Sequence, residues 1–194
     1  MTLPDELLLL VALACSPMDA MNMLLAHFDE EVMMREMKKR RDCYVWDGIC
    51  EVPSDVEYVI IVPGVKRIRS FAFENCTSLT KMVIPDSVTK IGVGAFFGCK
   101  SLTSVDIPDS VAEMEEGAFE SCEALVNVSI SNGIEKLNSC VFGMCKSLTS
   151  LCIPDSVTTI EYDAFWNCTS LTSLHIPEGV VIIHERSPEV CVSY

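Results

Sequence analysis

The chain has 194 residues, 49% of them apolar, with 28 acidic against 14 basic side chains and a formal net charge of −14. That apolar content is ample for one folded domain with a short appendage. The charge argues against a nucleic-acid backbone as partner, because phosphate contacts need clustered cations.

Residues 1–41 differ in composition from everything after them, holding seven of the ten methionines and no glycine. Leu7 to Ala14 is an apolar run of eight residues, too short to span a bilayer. Asp5 and Glu6 precede it without any Lys or Arg, so the basic start of a secretory signal is missing and no membrane insertion is expected. Helices fit the segment. Pro4 suits a first helical turn, with Asp5 and Glu6 at the positive end of the dipole. Ser16 can cap a second helix with Pro17 at its first position, and Met21, Leu24, Leu25 and Phe28 then fall on one apolar stripe. A third stretch, Glu30 to Arg41, places its acids first and its bases last, again matching the dipole.

The order Leu3-Pro4-Asp5-Glu6-Leu7-Leu8, followed by Val11, Pro17 and Asp19, resembles the opening of an F-box. That resemblance implies a surface on Leu7, Leu8, Val11, Met21 and Leu24 for the Skp-type adaptor of a cullin ubiquitin ligase, with the rest of the chain acting as a substrate receptor. The tryptophan that follows in that family is absent after Phe28. The alternative is an amphipathic helical cap over the open end of the domain behind it.

From residue 42 a pattern emerges that returns every 23 residues. Val56, Val59, Ile61, Val65, Ile68, Ala72 and Phe73 form its first copy, without a leading Cys; Tyr44, Trp46 and Ile49 lie ahead, as packing between the helices and the sheet. Further copies start near 76, 99, 122, 145 and 168, after the one near 53. Leu79, Leu102, Leu125, Leu148 and Leu171 share one column. Met82, Val105, Val128, Leu151 and Leu174 follow three residues later, and Ile84, Ile107, Ile130, Ile153 and Ile176 two after that, the spacing of strand positions facing one way. A second apolar pair, from Val88/Ile91 to Val180/Ile183, lies on the return path. Pro-Asp-Ser at 85–87, 108–110 and 154–156 marks a turn. In the last copy Cys191 keeps register while Ser187-Pro188 replace Ala-Phe, as terminal repeats tend to change.

The form C-x-S-L-T-x-x-x-I-P-D-S-V-x-x-I-x-x-x-A-F-x-x-C resembles the BspA-like (Treponema-type) leucine-rich repeat over roughly residues 53–191. The resemblance implies an α/β architecture: a curved leucine-rich-repeat solenoid over residues 42–194 with a parallel β-sheet on its concave side, preceded by the small N-terminal helical segment. It also implies protein binding, in bacterial surface proteins and in protists, and it brings no catalytic residues. An extracellular adhesin is therefore the other alternative reading.

Six of the eleven cysteines, Cys76, Cys99, Cys122, Cys145, Cys168 and Cys191, occupy one column, where stacking makes each a small buried hydrophobe with a weak thiol donor. The other five are an odd remainder with no C-x-x-C pair. A reducing, intracellular and cytoplasmic location is expected.

Strand alternation sends two rows of side chains to the concave face: Tyr58, Lys81, Ser104, Asn127, Ser150 and Ser173, and beside them Ile60, Val83, Asp106, Ser129, Cys152 and His175. Tyr58, Ile60, Lys81 and Val83 are the expected anchors for a protein partner. The three histidines belong to no ligand spacing, and no catalytic residue, metal or cofactor is expected. The expected function is a non-catalytic protein-interaction module, a scaffold or subunit of a larger assembly.

Overall fold

The computed structural model describes residues 43–49, 52–182 and 192–193. The helical readings for residues 1–41, the adaptor surface on Leu7, Leu8, Val11, Met21 and Leu24, and the position of Cys191 lie outside these residues. The described chain is a curved parallel-strand solenoid of about five turns.

In the repeating part each turn contributes a strand of three or four residues and then one of two, and one further strand at either end brings the number among the described residues to fourteen. They are β1 (Cys43–Trp46), β2 (Tyr58–Ile61), β3 (Arg67–Ile68), β4 (Lys81–Val83), β5 (Lys90–Ile91), β6 (Ser104–Ile107) and β7 (Glu113–Met114), followed by β8 (Asn127–Ile130), β9 (Lys136–Leu137), β10 (Ser150–Cys152), β11 (Thr159–Ile160), β12 (Ser173–His175), β13 (Val181–Ile182) and β14 (Val192–Ser193). β1, β2 and β4 pair in that order, as do β6 with β8 and β10 with β12 and β14. β4 lies beside β6 and β8 beside β10, so these strands form one continuous face. The two-residue strands form a second ladder, β3-β5-β7 and then β9-β11-β13. All of these pairings are parallel, and from β2 to β12 like positions pair at the 23-residue period, for example Val59 with Met82 and Val105 with Val128. A parallel pair cannot be joined by a tight hairpin, so each turn of chain must travel around the core before it rejoins the sheet.

The third side of each turn obeys a stricter rule. Phe71, Phe73 and Asn75 donate their backbone N–H groups forward to the carbonyls of Val93, Ala95 and Phe97 on the next turn, at 2.9, 2.8 and 2.7 Å. The intervening Ala72, Glu74 and Cys76 donate back to Arg69, Phe71 and Phe73. Alternation of this kind requires left-handed backbone at the flanking positions: Phe71 and Asn75 have φ of 58° and 55°, and Cys140 and Met144 repeat this at 54° and 58° two phenylalanine-bearing turns from the end. Glycine occupies the same places at Gly94 and Gly98, where left-handed φ costs least.

The core is a file of aligned side chains. Phe73, Phe96, Phe119, Phe142 and Phe165 stack with ring centroids 4.9, 4.9, 5.8 and 6.0 Å apart and interplanar angles of 5°, 10°, 14° and 10°. Trp46 closes the file edge-on, 4.9 Å from Phe73, with the Arg69 guanidinium 5.9 Å from its ring. Trp46 thus packs as expected, but Tyr44 and Trp46 belong to a strand and not to a connector. Cys43 pairs with Tyr58, a spacing of 15 residues (58 − 43), so β1 stands outside the period.

The end also departs from the period. Ile160 pairs with Ile182 instead of residue 183, and Leu174 pairs with Val192, a spacing of 18 (192 − 174). The last turn is shortened, which the retained Cys191 spacing did not foretell.

Candidate protein-binding face

Odd and even residues of the long strands separate cleanly. Val59, Ile61, Met82, Ile84, Val105 and Ile107 face the core and are buried, while the residues between them point to the opposite side of the sheet. Register places the two expected rows as drawn from the sequence. Tyr58 pairs with Lys81, Ser104 with Asn127 and Ser150 with Ser173; Ile60 pairs with Val83, Asp106 with Ser129 and Cys152 with His175.

Exposure divides these rows into two zones. Lys81, Asp106, Asn127, Ser129, Ser150, Cys152, Ser173 and His175 are exposed, and Tyr58 and Ser104 are half-buried. Ile60 and Val83 are only 4% and 5% exposed, so two of the four expected anchors are not accessible. Alternation decides which face a side chain takes; it does not decide what lies over that face.

A flanking row that the reading of motifs passed over holds the edge of this surface. The Oγ1 atoms of Thr80, Thr103 and Thr172 donate to the carbonyl oxygens of Glu57, Thr80 and Thr149, one turn earlier, at 2.9, 3.4 and 3.3 Å. Its signal was the Thr after the repeat Leu, as in Leu79-Thr80 and Leu102-Thr103, with Val126 as the interruption. A hydroxyl here bonds to the backbone and leaves the strand edge rigid.

Charge is nearly absent from the two rows, where Lys81 and Asp106 carry the formal charges. The ion pairs lie on other sides of the solenoid. Lys90 Nζ is 2.7 Å from Glu113 and 2.8 Å from Glu115, and Arg67 is 3.3 Å from Glu115. The hydrogen bond from Lys90 holds the Glu115 carboxyl below its usual range, and the same contacts with Glu113 and Glu115 push Lys90 up. Lys146 and Lys100 reach Glu123 at 2.9 and 3.9 Å, and Lys136 reaches Glu161 at 2.5 Å.

The aligned thiols face the interior. Cys99, Cys122, Cys145 and Cys168 donate from Sγ to the carbonyl oxygens of Phe73, Phe96, Phe119 and Phe142, at 3.1, 3.2, 3.3 and 3.1 Å; Cys76 reaches Pro53 at 3.9 Å. Burial pushes the Cys76 thiol up to about 11 and raises Cys99, Cys122 and Cys145 as well. Half-buried Cys140 is raised by burial and by the carboxylates of Glu120, Asp163 and Glu116. Cys152 is exposed.

Among the described residues, no group of three or more His, Cys, Asp or Glu side chains could hold a metal ion. No helix among them is long and apolar enough to cross a membrane.

The family model of the BspA type leucine rich repeat region matches residues 66–193 in six copies. Among solved structures, the chain is similar to a leucine-rich repeat protein from Bacteroides ovatus, at 28% identity and a TM-score of 0.60 over 67% of this chain; it spans 37% of that protein. It is also similar to the T. pallidum leucine rich repeat protein, at 26% identity and a TM-score of 0.63, covering 75% of this chain and 77% of the other. A leucine-rich repeat protein from Eubacterium ventriosum, 24% identical with a TM-score of 0.55, shares the fold over 73% of this chain and 34% of its own. No match was found among curated proteins.

Proposed function

Because the chain belongs to the BspA-type leucine-rich repeat family, we propose that it is a non-catalytic protein-interaction module, working as a scaffold or subunit that holds a protein partner on its concave sheet. Leucine-rich repeat proteins generally mediate protein–protein interaction. The observation that carries the reading for this chain is the pair of in-register rows from Ser104 and Asp106 to Ser173 and His175, half-buried at Ser104 and exposed from there on. These side chains are short and polar, and they stand on a rigid parallel sheet. A surface of this kind makes a hydrogen-bonded, water-containing contact more readily than a dry one. With few charges on the rows, electrostatic steering contributes little, and the partner's shape carries the specificity.

The thiol ladder supports a reducing, intracellular setting for this work. Each Sγ in the file acts as a donor to a backbone carbonyl, a role that oxidation to a disulfide would remove.

The test is a capture experiment with the full chain, run beside a variant carrying Ser104→Arg and Ser150→Arg. Both substitutions put bulk and charge on the exposed rows without touching the core. The expected result is a protein that binds the natural chain stoichiometrically and is lost with the variant, while both chains keep the same circular dichroism. A partner retained by the variant at equal affinity would place binding elsewhere.

A further inference from the structure

The third side of the solenoid carries charge of one sign. Its successive copies, residues 70–75, 93–98, 116–121, 139–144 and 162–167, hold Glu74, Glu116, Glu120 and Asp163 and no Lys or Arg. Carboxylates nearer the two-residue strands have their cations, as Glu113 and Glu115 have Lys90 and Glu161 has Lys136. Among the described residues, the carboxylates of Glu116 and Glu120 have no hydrogen bond or ion pair of that kind. Glu120 is half-buried, and that burial, with the Glu116 carboxylate beside it, pushes its carboxyl above the usual range. Glycines make the room it occupies: a Cβ added to Gly117 would lie 3.0 Å from its Oε2, and one added to Gly143 would lie 3.5 Å from its Cγ. The side chain therefore leans over Gly143, and the next residue in that column, one turn or about 4.8 Å on, is Trp166.

Trp166 and Tyr162 on that turn are 38% and 39% exposed. The chain's other tryptophan shows what such a ring takes here: Trp46 has the Arg69 guanidinium 5.9 Å from its centroid. We infer that the Trp166 end of the third side is a second docking surface, which takes an arginine-bearing basic segment of a protein partner, the guanidinium lying over the Trp166 ring and facing Glu120 and Glu116. The ring face and the carboxylates attract the same cation. A guanidinium suits the place better than an ammonium, because it is planar, stacks on aromatic rings and is more weakly hydrated. Charge selects the occupant. A neutral or acidic segment would cover Glu120 without supplying a counter-charge, and a second copy of this chain, at a formal −14, is repelled overall. This surface lies on a different side from the rows of the long strands, so it goes beyond the partner reading and does not depend on it.

The experiment titrates the full chain, labelled with nitrogen-15, with the end-blocked peptide Gly-Arg-Gly-Arg-Gly at about 0.15 M salt, and follows the two indole N–H resonances. The Trp166 signal is expected to shift and the Trp46 signal to stay. Lysine in place of arginine in the peptide is expected to weaken binding by about threefold. Glu120→Gln, and Trp166→Leu read at the Gly143 amide, are each expected to weaken it by about threefold to tenfold with unchanged circular dichroism. Asp155→Asn, which removes the same charge from an exposed turn elsewhere, is expected to leave the affinity within about twofold. The Ser104→Arg, Ser150→Arg chain is expected to bind the peptide as the natural chain does, so the two readings fail separately. A Trp166 resonance unmoved by the peptide would overturn the inference, as would equal weakening by Asp155→Asn and Glu120→Gln, which would mean attraction by net charge alone. So would tighter binding of spermine than of the peptide, which would assign the surface to a free polyamine, or a Trp166 resonance that moves on dilution of the chain alone, which would assign it to a second copy.

Discussion

The Sγ of Cys99 lies 3.1 Å from the carbonyl oxygen of Phe73, the same oxygen that accepts the backbone N–H of Cys76 at 3.2 Å. One carbonyl therefore closes its own turn and receives the thiol of the next. The arrangement recurs at Phe96, Phe119 and Phe142, which tie Cys122, Cys145 and Cys168 into the file. Removing one of these thiols takes away a buried apolar volume and a weak donor, while the carbonyl keeps its N–H. Cys122→Ala is accordingly expected to cost about 1–2 kcal/mol of unfolding free energy. Cys152→Ala, on the exposed row, is expected to change stability by less than about 0.5 kcal/mol. Paired urea denaturation curves check the contrast.

The ladder also sets a limit on the alkaline side. Burial raises the Cys76 thiol from its ordinary value near 9 to about 11 and moves Cys99, Cys122 and Cys145 in the same direction. The folded state thus holds protons that the unfolded chain releases. The stabilisation is complete below pH 9, and it is lost as pH rises through 9 toward 11, where the first of the file titrates. Thermal unfolding followed between pH 8 and pH 11, as an approximate range, is expected to show a midpoint that falls above pH 9. In a variant with Cys76, Cys99 and Cys122 all replaced by Val, the fall is expected to be shallower.

Most of the solenoid was legible because its information is repeated. Leu79 to Leu171 and Phe73 to Phe165 each recur in a column, and a column survives one substitution, such as Val141 for Ala. The parts that were missed have no second copy. β1 pairs at a spacing of 15, so Trp46 looked like a wedge between units when it caps the aromatic stack from within a strand. The last turn closes at 18 because the sheet needs only backbone to continue, and backbone leaves no column in the sequence. On the candidate face, alternation gave the rows and their register correctly. It could not give the burial of Ile60 and Val83, because alternation fixes the face a side chain takes and not its exposure. The left-handed positions were hidden too, since Phe71, Gly94, Gly117, Cys140 and Asp163 share a conformation and no chemistry.

Two serines in the same column differ in what holds them. Ser87 Oγ donates to the carbonyl of Val65 at 2.9 Å and accepts the N–H of Gly64 at 3.0 Å. Ser110 Oγ, one turn on, is buried without a hydrogen-bond partner. Ser87→Ala should therefore cost about 0.5–1.5 kcal/mol, and Ser110→Ala should be neutral or stabilising by up to about 1 kcal/mol, because it removes a polar atom that has lost its water. Chemical denaturation of the two variants against the natural chain gives the sign of each. Equal destabilisation by both would mean that Ser110 finds a partner in solution.

Gly133 stands where Ser87 and Ser110 stand in the other turns, and the reason is steric. A Cβ built on it would run into the backbone oxygen of Asp109 and come within 2.6 Å of the oxygen of Val111. Backbone atoms of the preceding turn cannot rotate away as a side-chain tip can, so the two turns would have to separate. The same turn is held by Asn132, whose N–H donates to Asp109 Oδ1 at 3.0 Å, and separation would stretch that bond as well. Gly133→Ala is expected to destabilise the chain by about 1–3 kcal/mol, although alanine normally stabilises an unstrained position. At Gly64, where an added Cβ meets nothing within 4 Å but φ is +99°, the cost of Gly64→Ala is conformational and not steric. Hydrogen exchange separates the two cases. Gly133→Ala should speed exchange at Ser131 and Asn132, whose N–H groups bond to the neighbouring turn, and Gly64→Ala should leave those amides as protected as before.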